Sequence, residues 1–406
     1  MRAATKVTIN SGVQTPHISA PQGTPLAGAH LLAVDMASVK ADSAATVRHH
    51  RVPVAVRAEA RLRLREVSDD HREDDARDCW IPMILLTGAT GFLGSHVAEA
   101  LLARGDRIRL LVRRPDAARW LTDRGAECVM GDLSSAAALA TAVDGCRAVI
   151  HCAALASDWG SWDTFRAAND IGVANLLTAC SGASLDCFVH VSTVDVYGYP
   201  DRDGLDESTP YRDRGFPYNS TKIAGELRVW AAVAAGLPAV IIRPASIYGP
   251  RSMTLGVDLI EAIRSGAPLI RGGNVNAGLV YVANVVALIL LVLEHRPALG
   301  RVFHSLDDDG RTWRDYVAAL CQGLNLPMPR LSLPHGIAYA LGSTMEWVAR
   351  ARRQSRRPLL TRTAVELLGT RQGFTMTRAR QQLGFAPAVT FGDGIARTVE
   401  WLRSRS

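Results

Sequence analysis

The apolar run Met83-Ile84-Leu85-Leu86-Thr87 passes directly into Gly88-x-x-Gly91-x-x-Gly94 and then into a stretch of helical spacing, Ser95–Arg104, that stops at Gly105. A strand turning into a helix over residues without Cβ atoms is the opening unit of a parallel sheet, because the bare backbone permits a tight turn and close strand–helix packing. The chain then repeats the alternation. Apolar runs at Ile108–Val112, Glu127–Met130, Ala148–Cys152, Cys187–Val191 and Ala239–Ile242 are separated by helical stretches. Such a pattern predicts an α/β fold, a doubly wound parallel sheet of Rossmann type covered by helices on both faces. At 406 residues and 48% hydrophobic, the chain has the apolar content for one large domain or two fused ones.

Residues 1–82 depart from the pattern. They are a patchwork of Ala, polar residues and charge, closing on Ser68-Asp69-Asp70-His71-Arg72-Glu73-Asp74-Asp75. A segment of this kind buries little, and it reads as a disordered leader or an extension ahead of a functional start at Met83. It lacks the compact apolar core and cleavage site of a secretory signal and is too acidic for a transit peptide. Its Arg57–Arg65 stretch reads as a short surface helix.

The net charge of +7 comes from 46 Lys and Arg against 39 Asp and Glu, and the only lysines are Lys6, Lys40 and Lys222. The densest basic run, Arg350–Arg357, is short and aromatics are 6%, which speaks against a nucleic-acid face. Seven cysteines without a CxxC spacing suggest neither a disulfide framework nor a metal site and fit a reducing cytoplasm. The most apolar run, Val285–Leu293 between Asn284 and Glu294, falls short of the ~20 residues that a bilayer span needs and reads as a buried helix.

The glycine turn also carries chemistry. Backbone amides at Gly88, Gly91 and Gly94 could approach a pyrophosphate while the helix N-terminus supplies partial positive charge. About 20 residues further on, where an acidic side chain would hold a ribose 2′-hydroxyl, the chain has Arg113-Arg114. A guanidinium suits a 2′-phosphate, so NADP(H) is preferred over NAD(H), the competing reading being two solvated arginines at a strand end. Tyr218 and Lys222 stand one helical turn apart on one face. A nearby cation favours the phenolate of a tyrosine that is otherwise a poor base at neutral pH. Lys222 is the one lysine in 83–406. Ser192-Thr193 places hydroxyls at the carboxyl end of an apolar run, where ligands sit in such sheets and where a capping hydroxyl is the plainer reading.

Taken together, these residues resemble the extended short-chain dehydrogenase/reductase superfamily over essentially all of 83–406. The resemblance rests on Thr87–Gly94, Gly131-Asp132-Leu133, His151-Cys152-Ala153-Ala154, Asn169, Ser192–Gly198, Tyr218–Lys222 and Arg243–Pro250. It implies that Gly88, Gly91, Phe92, Leu93 and Gly94 form a cofactor loop, that Asp132 and Leu133 flank the adenine, and that Ala153 and Pro244 line the cofactor site. It further implies Tyr218 as acid/base, Lys222 as its tuner and the holder of the nicotinamide ribose, Thr193 as hydrogen-bond partner of the reacting oxygen, and Asn169 as a proton relay. The nucleotide-binding domain is expected mainly over 83–250 and a smaller C-terminal substrate lobe mainly over 251–406, with some elements returning to the first.

Ala153–Trp162, Tyr281–Val285 and Pro358–Arg362 are similar to the branch of 3β-hydroxysteroid dehydrogenases and 2-alkyl-3-oxoalkanoate reductases. That branch implies a secondary alcohol and ketone interconverted on a hydrophobic, steroid-like or 3-oxo acid substrate, and the loop of Trp159 and Trp162 is expected close to the carbonyl site. The alternatives are a nucleotide-sugar epimerase or dehydratase, and a non-catalytic NADP-binding relative; Val194-Asp195 replaces the Asp-Glu pair typical of the dehydratases. The apolar stretch Leu331–Val348 followed by Arg350–Arg357 suggests a helix that lines a lipid pocket or touches an anionic membrane peripherally, against an ordinary helix packed on the lobe. A homodimer is one assembly open to such a chain, and the sequence does not fix the oligomer.

Overall fold

The computed structural model describes residues 83–405, so the leader expected over 1–82 lies outside the described residues. Strand β1 (Met83–Thr87) is buried at all five positions. Helix α1 (Phe92–Arg104) follows at once, three residues earlier than the helical spacing suggested, and ends at Gly105 with φ +88, a left-handed cap that glycine adopts without strain. Next come β2 (Arg107–Val112), β3 (Glu127–Met130), α2 (Ala136–Val143), β4 (Cys146–His151), α3 (Gly172–Cys180), β5 (Cys187–Val191), α4 (Pro217–Ala234) and β6 (Ala239–Pro244). Helix α5 (Val282–Glu294) and strand β7 (Val302–Ser305) complete the sheet from the second half of the chain.

The seven strands stand in the order β7-β6-β5-β4-β1-β2-β3. Every pairing is parallel. The chain leaves the centre in one direction through β2 and β3 and in the other through β4, so the carboxyl ends of β1 and β4 border the crevice where such sheets bind ligands. Strand periodicity divides the core. Ile84 and Leu86 join Val97, Leu101, Val189 and Phe303 on one face, and Met83 and Leu85 join Leu176, Phe188 and Ile241 on the other. Truncating fully buried Leu85 or Leu86 to Ala would cost ~2–5 kcal/mol.

The last 90 or so residues form α6 (Trp313–Leu324), α7 (His335–Ala351), α8 (Arg362–Gly369) and α9 (Phe391–Arg403). Thr312 and Asp315 cap α6 reciprocally. A separate core of Tyr248, Tyr281, Trp313, Tyr316 and Val399 holds them, with Tyr248 and Tyr316 edge to face at 5.3 Å. The Tyr316 hydroxyl donates to the Leu255 carbonyl at 2.8 Å. Among the described residues no helix is long and apolar enough to cross a membrane, and α5 is a largely buried helix.

Helix α4 is fixed to the sheet by a buried ion pair. The Arg243 guanidinium on β6 meets the Glu226 carboxylate at 2.6 Å, with the two side chains 4% and 0% exposed. Tyr211 donates to the same carboxylate at 2.7 Å. Arg243 also lies over the rings of Tyr197 and Tyr211 at 4.9 and 5.1 Å. Removing one partner of such a pair typically costs about 3–5 kcal/mol, so the register of α4 on the sheet is held firmly.

Candidate functional site

The glycines of the first turn do different work. Gly88 has φ +76, and a Cβ there would come within 2.6 Å of the Ala153 amide nitrogen, so the loops after β1 and β4 touch only because the side chain is missing. A Cβ on Gly94 would lie 2.1 Å from the Gly88 carbonyl oxygen. Gly91 has ordinary backbone angles, is the N-cap of α1 and offers no side chain to the first-turn amides. The amides of Phe92, Leu93 and Gly94 are thus left for a ligand or water. Gly91 and Phe92 form part of the wall of a cavity of about 1320 Å³. Beside them the Thr87 hydroxyl and His151 Nδ1 are 2.7 Å apart, and the Ala153 amide donates to the same hydroxyl at 3.3 Å.

Across the cavity, Pro217 starts α4 and brings Tyr218 to its first turn, on the cavity wall with Thr193 and Pro244. Lys222, one turn on, is 3% exposed, and its Nζ donates to the Val191 carbonyl at the end of β5, at 2.9 Å. Burial pushes its ammonium down to about 8, against the opposing pull of Glu226 and Cys152. Burial, and then the charge of Asp195, hold the Tyr218 phenol well above its usual range; the Thr193 hydroxyl beside it favours the phenolate. The bond to Val191 satisfies the buried ammonium at the end of β5.

Thr193 serves both roles open to it. It caps the turn Val194–Tyr197, accepting from the Asp195 amide at 3.1 Å, and its hydroxyl stands beside Tyr218. Asp195 was not expected in the site. It lies on the cavity wall, accepts the Tyr199 hydroxyl at 3.0 Å, and burial raises its carboxyl to about 6. The signal for it was an acid two residues past the threonine at a strand's carboxyl end.

Asn169 sits in a wide turn, Ala167–Ile171, and is 2% exposed. Its amide oxygen accepts from the Leu155 amide at 2.8 Å, and its nitrogen donates to the Leu155 carbonyl at 3.1 Å and the Thr221 hydroxyl at 3.2 Å. The side chain therefore clamps the loop after β4 to α4 and bonds to neither Tyr218 nor Lys222. Gly225 permits the approach, since a Cβ there would lie 2.4 Å from the Asn169 carbonyl.

Arg113 and Arg114 follow β2, are exposed, and make no ion pair among the described residues. Asp132, at the end of β3, accepts from the Ser134 amide at 2.8 Å and its hydroxyl at 2.6 Å, bonds that hold its carboxyl below the usual range, with Arg113 a lesser contributor. The Leu133 carbonyl accepts from Asn175 at 2.8 Å. These four residues lie at the carboxyl ends of β2 and β3 and do not line the cavity.

The rest of the cavity is mostly apolar, with Leu255, Leu259, Leu269, Leu341, Met345 and Leu359 on its walls. Glu99, Arg251 and Asp258 also reach the wall, and one polar pair there is a clasp. Both oxygens of Asp158 take the Arg357 guanidinium at 2.6 Å, and the Thr361 hydroxyl donates to one of them at 2.6 Å. The loop that carries Trp159 and Trp162 reaches the wall beside Thr193 and Tyr218 through Ala154–Asp158, while the two indoles do not line it. Trp159 lies beneath Arg350 at 5.5 Å and Trp162 is 49% exposed, because the loop presents its small residues Ala154, Ala156 and Ser157 inward.

Comparison with known proteins places this geometry. The profile of the NAD dependent epimerase/dehydratase family matches residues 84–304. A 4-hydroxy-2-methyl-3-oxo-4-farnesyl-3,4-dihydroquinoline-1-oxide ketoreductase of Stigmatella aurantiaca is 33% identical, the match covering 76% of this chain and 93% of the relative. A 2-alkyl-3-oxoalkanoate reductase of Stenotrophomonas maltophilia is 30% identical over 77% of this chain and 97% of its own. The human sterol-4-alpha-carboxylate 3-dehydrogenase, decarboxylating, is 30% identical over 78% and 87%. In fold, the chain is similar to UDP-glucuronic acid 4-epimerase from Bacillus cereus in complex with NAD, at a TM-score of 0.64 and 20% identity over 79% of this chain and 96% of that one.

Proposed function

Because the chain belongs to the NAD dependent epimerase/dehydratase family, we propose that it is an NADP(H)-preferring oxidoreductase that interconverts a secondary alcohol and a ketone on a bulky apolar substrate. The carrying observation is the position of Tyr218 and Thr193 on the wall of a large, mainly apolar cavity that also reaches Gly91 and Phe92. The residues fit a dinucleotide: a helix N-terminus without a side-chain cap meets a wall where Gly91 carries no Cβ. In this reading the Phe92, Leu93 and Gly94 amides hold the pyrophosphate, Asp132 and Leu133 flank the adenine, Arg113 and Arg114 take the 2′-phosphate, and Ala153, Pro244 and Lys222 border the nicotinamide riboside. The nicotinamide supplies or accepts the hydride when bound.

The chain's own residues manage the proton. Tyr218 donates from its hydroxyl to the substrate oxygen during reduction and recovers a proton during oxidation, while Thr193 hydrogen-bonds that oxygen and fixes its place. Burial and Asp195 hold the phenol protonated in the resting protein, the form that donates to a substrate oxygen. Asn169, with its side chain committed to Leu155 and Thr221, positions the loop and α4. The apolar walls favour a substrate with an alkyl, isoprenoid or sterol skeleton over a sugar nucleotide, in keeping with the three relatives' names.

The test is NADPH oxidation, and NADP reduction, over a panel of 3-oxo acids, hydroxysteroids and UDP- or dTDP-sugars. Turnover of the apolar ketones is expected; turnover confined to the sugar nucleotides would overturn the substrate reading. Tyr218→Phe should lower turnover by roughly 10²–10⁴ with little change in NADPH binding. Equal turnover would remove Tyr218 from the mechanism, and wild type that binds NADPH but turns over nothing in the panel would make the chain a non-catalytic binder.

A further inference from the structure

Helix α7 is packed inside out. Its buried positions are Ala338, Gly342, Glu346 and Ala349, whereas Ile337, Leu341, Met345 and Trp347 are exposed, Trp347 by 70%. Gly342 explains the inward choice, since a Cβ there would sit 3.1 Å from the Thr361 carbonyl carbon, so small residues let α7 lie close against the turn that enters α8. A helix that packs small residues inward usually turns charge outward. This one does not. Between His335 and Arg350 its only charged residue is Glu346, which is buried and is met by the Arg362 guanidinium at 3.0 Å. The solvent side is uncharged over four turns.

Two further features bear on what covers that face. Leu341 and Met345 also line the cavity, as does Leu359, which is 67% exposed, so the apolar face continues onto the cavity wall. Directly behind the helix stand Arg352, Arg353 and Arg356, all exposed and without an ion pair among the described residues. From Leu331 to Arg362 the sequence has no acid other than Glu346.

We propose that α7 is an interfacial helix that seats the protein on an anionic phospholipid surface, with the cavity mouth turned to the lipid. The chemistry of both parts is required: the apolar face enters the boundary between headgroups and acyl chains, and the unpaired arginines meet the lipid phosphates. A second copy of the chain is the poorer occupant, because from Leu331 to Arg362 this face offers those arginines no acid but the buried Glu346. This rests on the reading of the cavity as an apolar substrate site and adds where the substrate comes from: it enters laterally from the membrane.

The experiment is flotation of the full chain with vesicles of pure phosphatidylcholine and of phosphatidylcholine containing phosphatidylglycerol. The protein should float with the anionic vesicles and be released by salt. Each arginine near an anionic surface is worth on the order of a fivefold change in partitioning, so Arg352→Glu with Arg353→Glu should remove at least ~25-fold. Ile337→Glu with Trp347→Glu, neither on the cavity wall, should abolish flotation at unchanged melting temperature and unchanged turnover of a short, water-soluble 3-oxo ester. The proposal is overturned if wild type stays with the soluble fraction, if the Glu variants float like wild type, or if wild type is a dimer that they convert to monomer. Because the water-soluble ketone is read independently, failure of flotation and failure of the oxidoreductase assignment are distinct results.

Discussion

Lys222 offers a test in which the site's chemistry can be read as stability. Its ammonium falls from an ordinary 10.5 to about 8 because it is buried. A group that binds a proton less well when folded destabilises the fold at every pH where both states carry the proton, here below 8. Between 8 and 10.5 the unfolded chain holds more protons than the folded one, so stability rises with pH; above 10.5 the contribution is gone. Each tenfold change in proton affinity is worth about 1.4 kcal/mol, so the buried charge costs about 3 kcal/mol at pH 7. Lys222→Met removes the charge and keeps the length of the side chain. The variant also loses the bond to the Val191 carbonyl, which offsets ~1–3 kcal/mol of the gain. That offset varies little with pH, whereas the charge does. In urea denaturation of the cofactor-free protein, wild type should gain on Lys222→Met by about 1 kcal/mol from pH 7 to 9 and by about 2–3 kcal/mol by pH 10. The variant should also be inactive. A stability difference that stays flat across this range would mean that Lys222 is solvated or already neutral, and the account of the site's electrostatics would fail.

Other expectations follow from neighbouring residues. Arg113→Ala with Arg114→Ala should weaken NADPH binding roughly 10–100-fold and leave NADH binding unchanged, the scale of one charge-assisted hydrogen bond; tighter NADH than NADPH binding in wild type would refute the cofactor preference. Asp195→Asn keeps an acceptor for Tyr199 but removes the charge that raises Tyr218, so the rising limb of the alcohol-oxidation pH profile should move to lower pH. An unmoved limb would show that Asp195 does not reach the phenol. Gly94→Ala forces a Cβ to 2.1 Å from the Gly88 carbonyl oxygen, a clash of the kind that costs ~1–3 kcal/mol; melting temperature and NADPH affinity should drop together, and normal binding would mean that the turn adapts freely.

Legibility followed how local the physics was. Strands β1 to β6 and the glycine turn are written in consecutive residues, as apolar runs and missing Cβ atoms, and each lies within two residues of its expected place. Strand β7 was not marked, because Val302-Phe303-His304-Ser305 is four residues of mixed character whose place is set by pairing with β6. His304 is tolerated there because the Tyr197 hydroxyl and the Thr375 carbonyl satisfy its ring, partners 107 and 71 residues away. The site divides in the same way. Tyr218, Lys222 and Thr193 stood out by residue type and position, but the direction of Lys222 depends on a carbonyl 31 residues upstream that spacing cannot show. Asn169 was assigned by resemblance, and its bonds to Leu155 and Thr221 exist only once α4 is docked. The clasp of Asp158 with Arg357 joins residues 199 apart. Helix α7 makes the same point in reverse: its apolar pattern is plain in the sequence, and pattern alone assigns large residues to the core. The docking surface at Thr361 and Arg362 takes Ala338, Gly342 and Ala349 in close approach and Glu346 as the partner of Arg362, so Ile337, Leu341 and Trp347 turn outward. The side of a helix that is buried is decided by how closely its partner approaches, and that distance is a property of the fold.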